Sequence, residues 1–312
     1  MPSLLKPGAL KPGAVIAVVS ASAPTPQADE AFERGRLLLE DQGFQVRLMP
    51  HAADAWAYLA GSDVDRLSDL HAAFADPGVD AVLCARGGYG AMRLLPHLDF
   101  DCIRRHPKVF IGFSDVTALH LAFYQKAGLV GFYGPMLTSN LIHNEPDSLA
   151  DLLRVVSGNE AIPMQIRNRD PYHCFQGGVA EGPLTGGNLS LLSSLCGTPF
   201  QPETAGHILF IEDWKEQFYT LDRQFQQLAM SGVFDAIRGL LLCDFSEIPD
   251  EDVTLSAQLK RLVGAIPQLA DVPVGYGFSV GHGAQTATLP IGIQARFDAS
   301  AGQLTLLESP VA

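Results

Sequence analysis

The sequence predicts an α/β protein of two domains: a mostly parallel, helix-flanked sheet of the flavodoxin or Rossmann type, then a β-rich mixed α/β domain. Over about the first 135 residues, short apolar runs alternate with amphipathic stretches, the pattern of strands and crossover helices. Beyond about residue 180 the alternation is less regular and ends in a hairpin pattern. A chain of 312 residues, 47% of them hydrophobic, can bury a core of this size.

In the first half, the pattern predicts strands at "AVIAVVS" and "FQVRLM" around the amphipathic helix "QADEAFERGRLLLEDQG". Gly43 is placed to end that helix in the left-handed conformation. Ser62 is a good N-cap for a second helix that runs through Leu70 and Phe74. Further strands are predicted at "DAVLCA", "KVFIG" and "LVGFYGP".

In the second half, strands are predicted at "HILFIED", "GLLLCDF" and "VPVGYGF", with helices at "TLDRQFQQLAMSG" and "LSAQLKRLVGAI". The end of the chain predicts a hairpin across "DASAG". The stretch "EGPLTGGNLSLLSSLCGTPF" predicts a glycine turn into a short apolar helix. We expect an N-terminal α/β domain over 1–140, a linker or lid over 141–180, and a β-rich C-terminal domain over 181–312.

The bulk composition excludes several classes of partner. The 34 acidic and 21 basic residues give a net charge of −13, which repels phosphate backbones and anionic lipid surfaces, so neither nucleic acid nor a membrane is expected. The five cysteines are scattered without a C-x-x-C pair, which predicts buried, reduced thiols. No stretch approaches the roughly 18 apolar residues of a membrane span, and we expect a soluble, cytoplasmic protein.

No cofactor or metal is expected. The chain lacks the Gly-Lys pair of a Walker A motif, and its first strand is followed by "SASAP" rather than by G-x-G-x-x-G. It also lacks an H-E-x-x-H motif or a carboxylate–histidine cluster that would suggest a metal centre.

In "KVFIGFSDVTALH", Ser114 stands where an apolar strand passes into a helix. Function in open α/β sheets collects beyond the carboxyl ends of the strands, and the N–H groups of a helix's first turn face any negative charge that forms there. Ser114 is therefore a candidate nucleophile. An equally good explanation from this segment alone is that Ser114 or Asp115 caps the helix.

A second serine competes with it. Residues 277–281, "GFSVG", match the G-x-S-x-G nucleophile elbow around Ser279. That elbow requires a following helix, whereas "HGAQTATLPIG" follows here, with glycines, β-branched residues and a proline. Ser279 is therefore predicted to be a loop or strand residue.

His282 and Glu212 complete a set of strand-end residues. His282 lies between two glycines at the end of a predicted strand, and Glu212 directly follows the apolar run of "HILFIEDWKEQ". A buried acid needs a partner, and an imidazole N–H is one. Serine, glutamate and histidine together fit a nucleophile, an orienting acid and a general base. The alternative is that Glu212 or Asp213 is the N-cap of the helix that follows.

The stretch "CARGGYGAMRLL" follows a strand and opens a helix. Consecutive glycines at such a point can turn backbone N–H groups toward an anion, either a phosphate or the oxyanion of acyl transfer. Because the nucleotide motifs are missing, the transient oxyanion is the better interpretation.

Five ordered segments, "ARGGYGAMRLLPHLD", "IGFSDVTALH", "GPLTGGNLSLLSSLCGTPF", "LFIEDWKEQFYTLDRQFQQL" and "GHGAQTATLPIG", resemble the LD-carboxypeptidase family of serine peptidases. That family comprises murein tetrapeptide carboxypeptidases and microcin-immunity peptidases. The resemblance covers nearly the whole chain. It implies Ser114 as nucleophile, His282 as general base and Glu212 as its orienting acid.

The resemblance also implies an oxyanion hole made by the backbone N–H of Asp115 and one from Gly87 or Gly88. It implies a homodimer with the active site between the two domains, and a cell-wall peptide substrate from which a terminal D-alanine is removed during cytoplasmic murein recycling. A carboxypeptidase must hold a terminal carboxylate, for which Arg86 is the candidate. The alternative is a structural arginine that ties the glycine loop.

The sequence departs from the family pattern at Gln285, where asparagine is common, and at "DWKEQ", where a proline-containing continuation is common. Two other functions stay open. One is a microcin-immunity-type hydrolase of a peptidyl-nucleotide or related acylated amine, for which Trp214 is the one suggestive nucleobase platform. The other is a non-catalytic small-molecule-binding protein.

Overall fold

The computed structural model describes residues 2–143, 146–168, 171–249 and 253–312. The chain forms two compact units. The first unit comprises Met1–Glu160, Pro290–Gly292 and Ser309–Ala312, and the second comprises Ala161–Leu289 and Ile293–Glu308.

Strands and α-helices alternate from residue 15 to residue 156, and beyond that point several strands follow one another along the described residues. The strands are β1 (Val15–Val19), β2 (Gln45–Leu48), β3 (Ala81–Cys84), β4 (Val109–Gly112), β5 (Phe132–Tyr133), β6 (Met164–Ile166), β7 (His173–Gln176), β8 (Val179–Asn188), β9 (Ile208–Trp214), β10 (Gly239–Ser246), β11 (Val274–Tyr276), β12 (Leu289–Pro290), β13 (Gln294–Asp298) and β14 (Gln303–Leu306). The α-helices are α1 (Ala28–Asp41), α2 (Asp63–Ala75), α3 (Phe100–Arg105), α4 (Thr117–Ala122), α5 (Pro146–Val156), α6 (Leu189–Leu195), α7 (Phe218–Met230) and α8 (Leu255–Gly264).

The first sheet has the strand order β12-β5-β4-β3-β1-β2, and the pairs from β5 to β2 are all parallel. This confirms the predicted parallel sheet. The central strands β3 and β4 are buried along their whole length, as continuous apolar runs covered on both faces require. Helix α2 begins at its N-cap Ser62, whose hydroxyl accepts the Asp65 N–H, and Gly43 follows α1 at φ +85°, both as predicted.

The second sheet has the order β6-β14-β13-β8-β9-β10-β11-β7 and is mixed. Strands β8, β9, β10 and β11 pair in parallel, whereas β13 pairs antiparallel with β8 and β14. The predicted mixed sheet and the closing hairpin are thus confirmed.

The predicted glycine turn in "EGPLTGGN" is wrong, because these residues lie in strand β8. Gly186 and Gly187 are inside the strand at φ values of +143° and +141°. A methyl group on Gly186 would lie 1.9 Å from the carbonyl oxygen of Phe210, so the glycine permits a close approach of two backbones. The short apolar helix predicted after it is present as α6.

The segment predicted as a linker or lid, residues 141–180, carries α5, β6 and β7. Residues 144, 145, 169 and 170 of that segment lie outside the described residues. Strand β6 pairs with β14, and β7 pairs with β11. The role of this segment as a linker or lid stays a prediction.

The cysteines agree with the sequence prediction in part. All five are free thiols, and three of them are buried. Cys174 is exposed, contrary to expectation, because it lies on the edge strand β7 of the second sheet. Among the described helices, none has the length and apolar character needed to cross a bilayer.

Candidate active site

Ser114 lies two residues beyond the carboxyl end of β4, at the start of a 3-10 turn that continues into α4. Its φ is +62°, in the left-handed region that a residue with a Cβ seldom adopts and that is concentrated at functional sites. The Ser114 N–H donates to the hydroxyl of the buried Tyr133 at 3.2 Å. Ser114 is therefore held at a strained turn from strand to helix.

The carboxylate of Asp115 does not cap this helix, whose N-cap position is Phe113. Oδ2 of Asp115 instead accepts the Ser22 hydroxyl at 2.6 Å and the Ala91 N–H at 2.8 Å. Burial raises the pKa of this carboxyl group, and the hydrogen bonds from Ser22 and Ala91 oppose that rise. Asp115 thus ties together the loops that follow β1, β3 and β4 in the parallel sheet.

The glycine loop after β3 lies against the nucleophile. A methyl group on Gly87 would be 3.0 Å from Cβ and 3.1 Å from Oγ of Ser114. Gly88 has φ +114°, and a methyl group there would be 2.5 Å from the side chain of Ala23. Glycine at position 87 therefore brings backbone close to Ser114, as an oxyanion hole requires, and glycine at position 88 lets the loop pass close to Ala23.

Arg86 precedes that loop and is half-buried. One Nη donates to the carbonyl of Pro24 at 3.1 Å, which ties the loop after β1, while Nε is buried and has no hydrogen-bond partner among the described residues. Burial lowers the pKa of the guanidinium. Arg86 also lines a cavity of about 370 Å³ together with Arg34, Thr138 and Ser139. The structural role is present, and a role of Arg86 toward a ligand stays a prediction.

In the second unit, Glu212 is fully buried within β9. Its Oε2 lies 2.6 Å from Nδ1 of His282, in the loop after β11, and its Oε1 accepts from the side-chain amide of Asn188 at 3.2 Å. A methyl group on Gly281 would lie 2.5 Å from Glu212 Oε2, so the glycine before His282 makes this contact possible. The structure brings the predicted acid and base together.

The ionisation of this pair follows from its surroundings. An ionised carboxylate can only accept, so Nδ1 of His282 carries the proton and Nε2 is left as the basic nitrogen. Burial of the ring disfavours its charged form, but the charge and hydrogen bond of Glu212, with the charges of Asp213 and Asp244, raise the pKa of His282.

The alternative that Glu212 or Asp213 caps the following helix is wrong. Helix α7 has Gln217 at its N-cap. The Asp213 carboxylate accepts the N–H and the hydroxyl of Ser190 at 3.0 and 2.9 Å, in the first turn of α6. Asp213 therefore stabilises a different helix, brought to it by the parallel pairing of β8 with β9.

Trp214 stacks on the ring of His282 with a centroid distance of 5.4 Å and an interplanar angle of 6°. The Nζ of Lys215 lies 4.2 Å from the centroid of the same indole. The departure from the family pattern at "DWKEQ" thus contacts the predicted base.

Ser279 lies in the loop after β11, as predicted, with no helix after it. Its N–H and hydroxyl both lie 3.0 Å from Oδ1 of Asn168. Its position in the loop is therefore explained by a local hydrogen-bond pair.

One side-chain cluster among the described residues could approach a metal ion: His51, Asp54 and Asp65 place three ligand atoms within 4.8 Å of one another. Their hydrogen bonds account for the arrangement. Nδ1 of His51 lies 2.9 Å from Oδ2 of Asp54, and the Ser62 hydroxyl donates to Asp65 at 2.6 Å. The cluster is partly exposed, and nothing in it points to an ion.

Sequence reasoning missed three residues of the site: Ser22, Tyr133 and Asn188. Asn188 is the N-cap of α6 and carries a recognisable capping signal before "LSLL", but its second role toward Glu212 depends on the neighbouring strand. Ser22 and Tyr133 act through partners 93 and 19 residues away, for which the local sequence contains no signal.

The sequence matches two family models, the LD-carboxypeptidase N-terminal domain over residues 16–134 and the LD-carboxypeptidase C-terminal domain over residues 181–297. This chain belongs to the LD-carboxypeptidase family. It is a hydrolase of that family, and the resemblance noted in the sequence is confirmed.

Relatives and solved structures agree. A probable murein peptide carboxypeptidase of Bacillus subtilis strain 168 is 38% identical over 307 residues, which cover 98% of this chain and 95% of the relative. The crystal structure of muramoyltetrapeptide carboxypeptidase from Oxalobacter formigenes is similar with a TM-score of 0.80 and 30% identity, over 94% of this chain and 97% of that one.

A structure of the microcin immunity protein MccF in complex with glutamyl sulfamoyl guanosine has a TM-score of 0.89 to this chain and 25% identity, over 99% of this chain and all of that one. The fold is therefore shared by the carboxypeptidase and the microcin-immunity branches. Ser114 belongs to the first unit and the Glu212–His282 pair to the second, and their union in one triad is a proposal.

Proposed function

We propose that this protein is a serine carboxypeptidase that hydrolyses the L,D bond before the terminal D-alanine of murein tetrapeptide. The buried contact of 2.6 Å between Glu212 and His282 carries the proposal, because it leaves a basic imidazole nitrogen in a chain of this family. The strained turn at Ser114 supports it from the other unit. The cellular setting is cell-wall recycling in the cytoplasm, by a homodimer, as the family resemblance implies.

The proposed reaction has two halves. Ser114 Oγ attacks the carbonyl carbon of the L-centre while its proton passes to Nε2 of His282, and that proton then goes to the amine of the departing D-alanine. Water next attacks the carbonyl carbon of the acyl-enzyme ester and gives one proton to His282. The ester bond then breaks as His282 returns that proton to Ser114 Oγ, and the shortened peptide leaves with a new carboxylate. The backbone N–H of Asp115, with one from Gly87 or Gly88, stabilises the oxyanion in both halves.

Arg86 is the proposed partner of the substrate's terminal carboxylate. Its guanidinium is half-buried, has an unused Nε, and makes no ion pair with any acidic side chain in the described part of the chain. A carboxylate would supply the missing charge and acceptor. The hydrogen bond to Pro24 would hold the guanidinium in place for that role.

The microcin-type alternative requires an aromatic platform for a nucleobase. Trp214 already stacks on His282, and Nζ of Lys215 lies over the same indole. A nucleobase that stacked on this indole would compete with these contacts. This competition favours the murein peptide over a peptidyl-nucleotide.

The decisive experiment measures D-alanine release from an L,D-linked murein tetrapeptide by the wild-type protein and by Ser114→Ala. An all-L peptide is the control, and a glutamyl sulfamoyl nucleoside tests the alternative. Release from the tetrapeptide alone, lost in Ser114→Ala, is expected. Cleavage of the glutamyl sulfamoyl nucleoside instead would indicate a microcin-immunity-type hydrolase. A folded wild-type protein that is inactive on every compound would indicate a binding protein.

The same assay tests Arg86 when the tetrapeptide is compared with its C-terminal amide. Arg86→Met should reduce kcat/KM on the free acid by about a hundredfold, as for the loss of a charge-assisted pair of about 2–3 kcal/mol, and reduce it far less on the amide. An equal loss on both would leave Arg86 only its structural role.

A further inference from the structure

The plane of the His282 ring is set by a second contact besides the one to Glu212. Trp214 follows Glu212 by two residues on β9, and its indole lies almost parallel to the imidazole, 6° apart. A hydrogen bond at Nδ1 fixes one edge of the ring but still allows the ring to tilt about that bond. A flat surface against the ring face removes this freedom, so the direction of Nε2 becomes defined.

The indole is itself held from two sides. Its Nε1–H donates to Oε1 of Glu247 at 3.0 Å. The ammonium of Lys215 lies over the ring and 3.2 Å from Oε2 of the same Glu247. The Glu247 carboxylate therefore contacts both the edge of the indole and the ammonium of Lys215. Because that ammonium also lies over the indole, the three side chains contact one another.

The backbone that carries this group is strained. Lys215 and Glu247 have φ values of +59° and +53°, although neither is a glycine. They follow the ends of the paired strands β9 and β10, and the Lys215 N–H donates to the carbonyl of Ser246 at 3.0 Å. Left-handed residues with side chains persist where the surroundings hold them, and they cluster at functional sites. Two such left-handed residues, just beyond the ends of neighbouring strands, fix the directions in which the side chains of Lys215 and Glu247 leave the backbone.

We propose that Trp214, braced by Lys215 and Glu247, is a positioning residue that orients the imidazole of His282 for proton transfer. The catalytic part of this inference rests on the proposed function, whereas the stack itself does not. The charged groups around the imidazole are Glu212, Asp213 and Asp244, and Lys215 lies over the indole that stacks on the imidazole. The brace thus adds one positive charge to surroundings that hold three negative ones.

The stack can be tested without any substrate, because the chain has only two tryptophans, Trp56 and Trp214. Trp56 is 63% exposed and lies in the other unit, so Trp56→Phe leaves Trp214 as the single emitter. A protonated imidazole quenches the fluorescence of an indole in contact with it. Emission of the Trp56→Phe protein should fall as the pH is lowered through the titration of His282, and the added change His282→Gln should abolish that step. No step, or a step that survives His282→Gln, would overturn the stack.

The positioning role is tested by kinetics on the tetrapeptide. Trp214→Ala should lower kcat about tenfold with KM within twofold, while Trp214→Phe, which keeps a flat ring, should recover most of the loss. Glu247→Gln and Lys215→Ala should lie between them, and Trp56→Phe should match the wild type. Equal losses in Trp214→Ala and Trp214→Phe, or a change confined to KM, would reject positioning. If the wild-type protein released no D-alanine, the proposed function would be wrong. The fluorescence titration would still show whether Trp214 stacks on His282.

Discussion

The two halves of the proposed active site, Ser114 in the first unit and His282 in the second, are built by different means. Around Ser114 the precision lies in the backbone: a left-handed turn, an N–H bound to Tyr133, and Gly87 within van der Waals reach of the nucleophile. Around His282 it lies in side chains, with a buried carboxylate on the imidazole edge and a partly exposed indole on its face. The charge nearest the nucleophile, that of Asp115, ties loops together, whereas the charge of Glu212 acts directly on the base.

This difference predicts different sensitivities. A half built on backbone should respond mainly to added volume, because its close contacts leave no room for a larger side chain. A half built on charged side chains should respond to changes of charge at constant volume, and to pH. Substitutions that change only charge or only volume therefore separate the two.

The largest effect is expected from Glu212→Gln, which keeps the volume of a fully buried side chain and removes its charge. The imidazolium that forms during proton transfer loses its stabilising partner, and the amide can turn the ring to the wrong tautomer. We expect kcat to fall by about 10³-fold or more. The measurement is tetrapeptide turnover, with folding checked by urea denaturation.

Glu181→Gln is the matched control, since it makes the same chemical change at an exposed position of the same sheet, where Glu181 pairs with Arg296. It should leave kcat unchanged. A Glu212→Gln protein within threefold of the wild type would show that this half does not depend on charge.

A smaller effect, about 10- to 100-fold in kcat/KM, is expected from Gly87→Ala. The φ of Gly87 is not in the left-handed region, so an added methyl group acts only through its contacts with Ser114 and, at 3.4 Å, with Met136. Such crowding destabilises a packed site by about 1–3 kcal/mol and displaces the nucleophile from its donors. The measurement is kcat/KM on the tetrapeptide.

Gly8→Ala provides the comparison in the same unit, because a methyl group there meets nothing within 4 Å. Its kcat/KM should equal that of the wild type. Should Gly87→Ala also be fully active, the close approach of the glycine loop would have no part in the reaction.

How far the sequence predicts this molecule depends on whether a feature is local. The helix start at Ser62 and the helix end at Gly43 depend on neighbouring residues, and both predictions are confirmed. The glycines of β8 were expected in a turn, because their reason, the carbonyl of Phe210, lies on another strand. Likewise the contact of Glu212 with His282 spans 70 residues, and local reasoning alone could not separate it from helix capping.

The family resemblance supplied what local patterns could not, namely which serine, acid and histidine to group. It could not supply the stack at Trp214, because this chain departs from the family pattern there. In the sequence, the departure from the family pattern at "DWKEQ" is the sole indication that this position is unusual. Only the structure, which stacks Trp214 on His282, shows what the departure does.

The smallest expected effect tests the charges around His282 one at a time. A general base must be neutral to accept a proton, and the pKa of His282 is raised, so kcat/KM should climb with pH and level off above the ordinary histidine value of about 6.5. Asp244→Asn removes one contributing charge and keeps an oxygen that can accept the Gly283 N–H. The ascending limb should move to lower pH by roughly half a unit, the effect of about 0.7 kcal/mol.

Glu181→Gln again serves as the control for that shift. Glu181 precedes Asn188, the register partner of Glu212, by seven residues on β8, or roughly 23 Å of strand, well beyond the screening length of about 8–10 Å. Its pH profile should match the wild type. If Asp244→Asn left the limb in place, the hydrogen bond of Glu212 alone would hold the proton on His282. A shift to higher pH would mean that the negative charges around the ring do not govern its protonation, and the contrast between the two halves would fail.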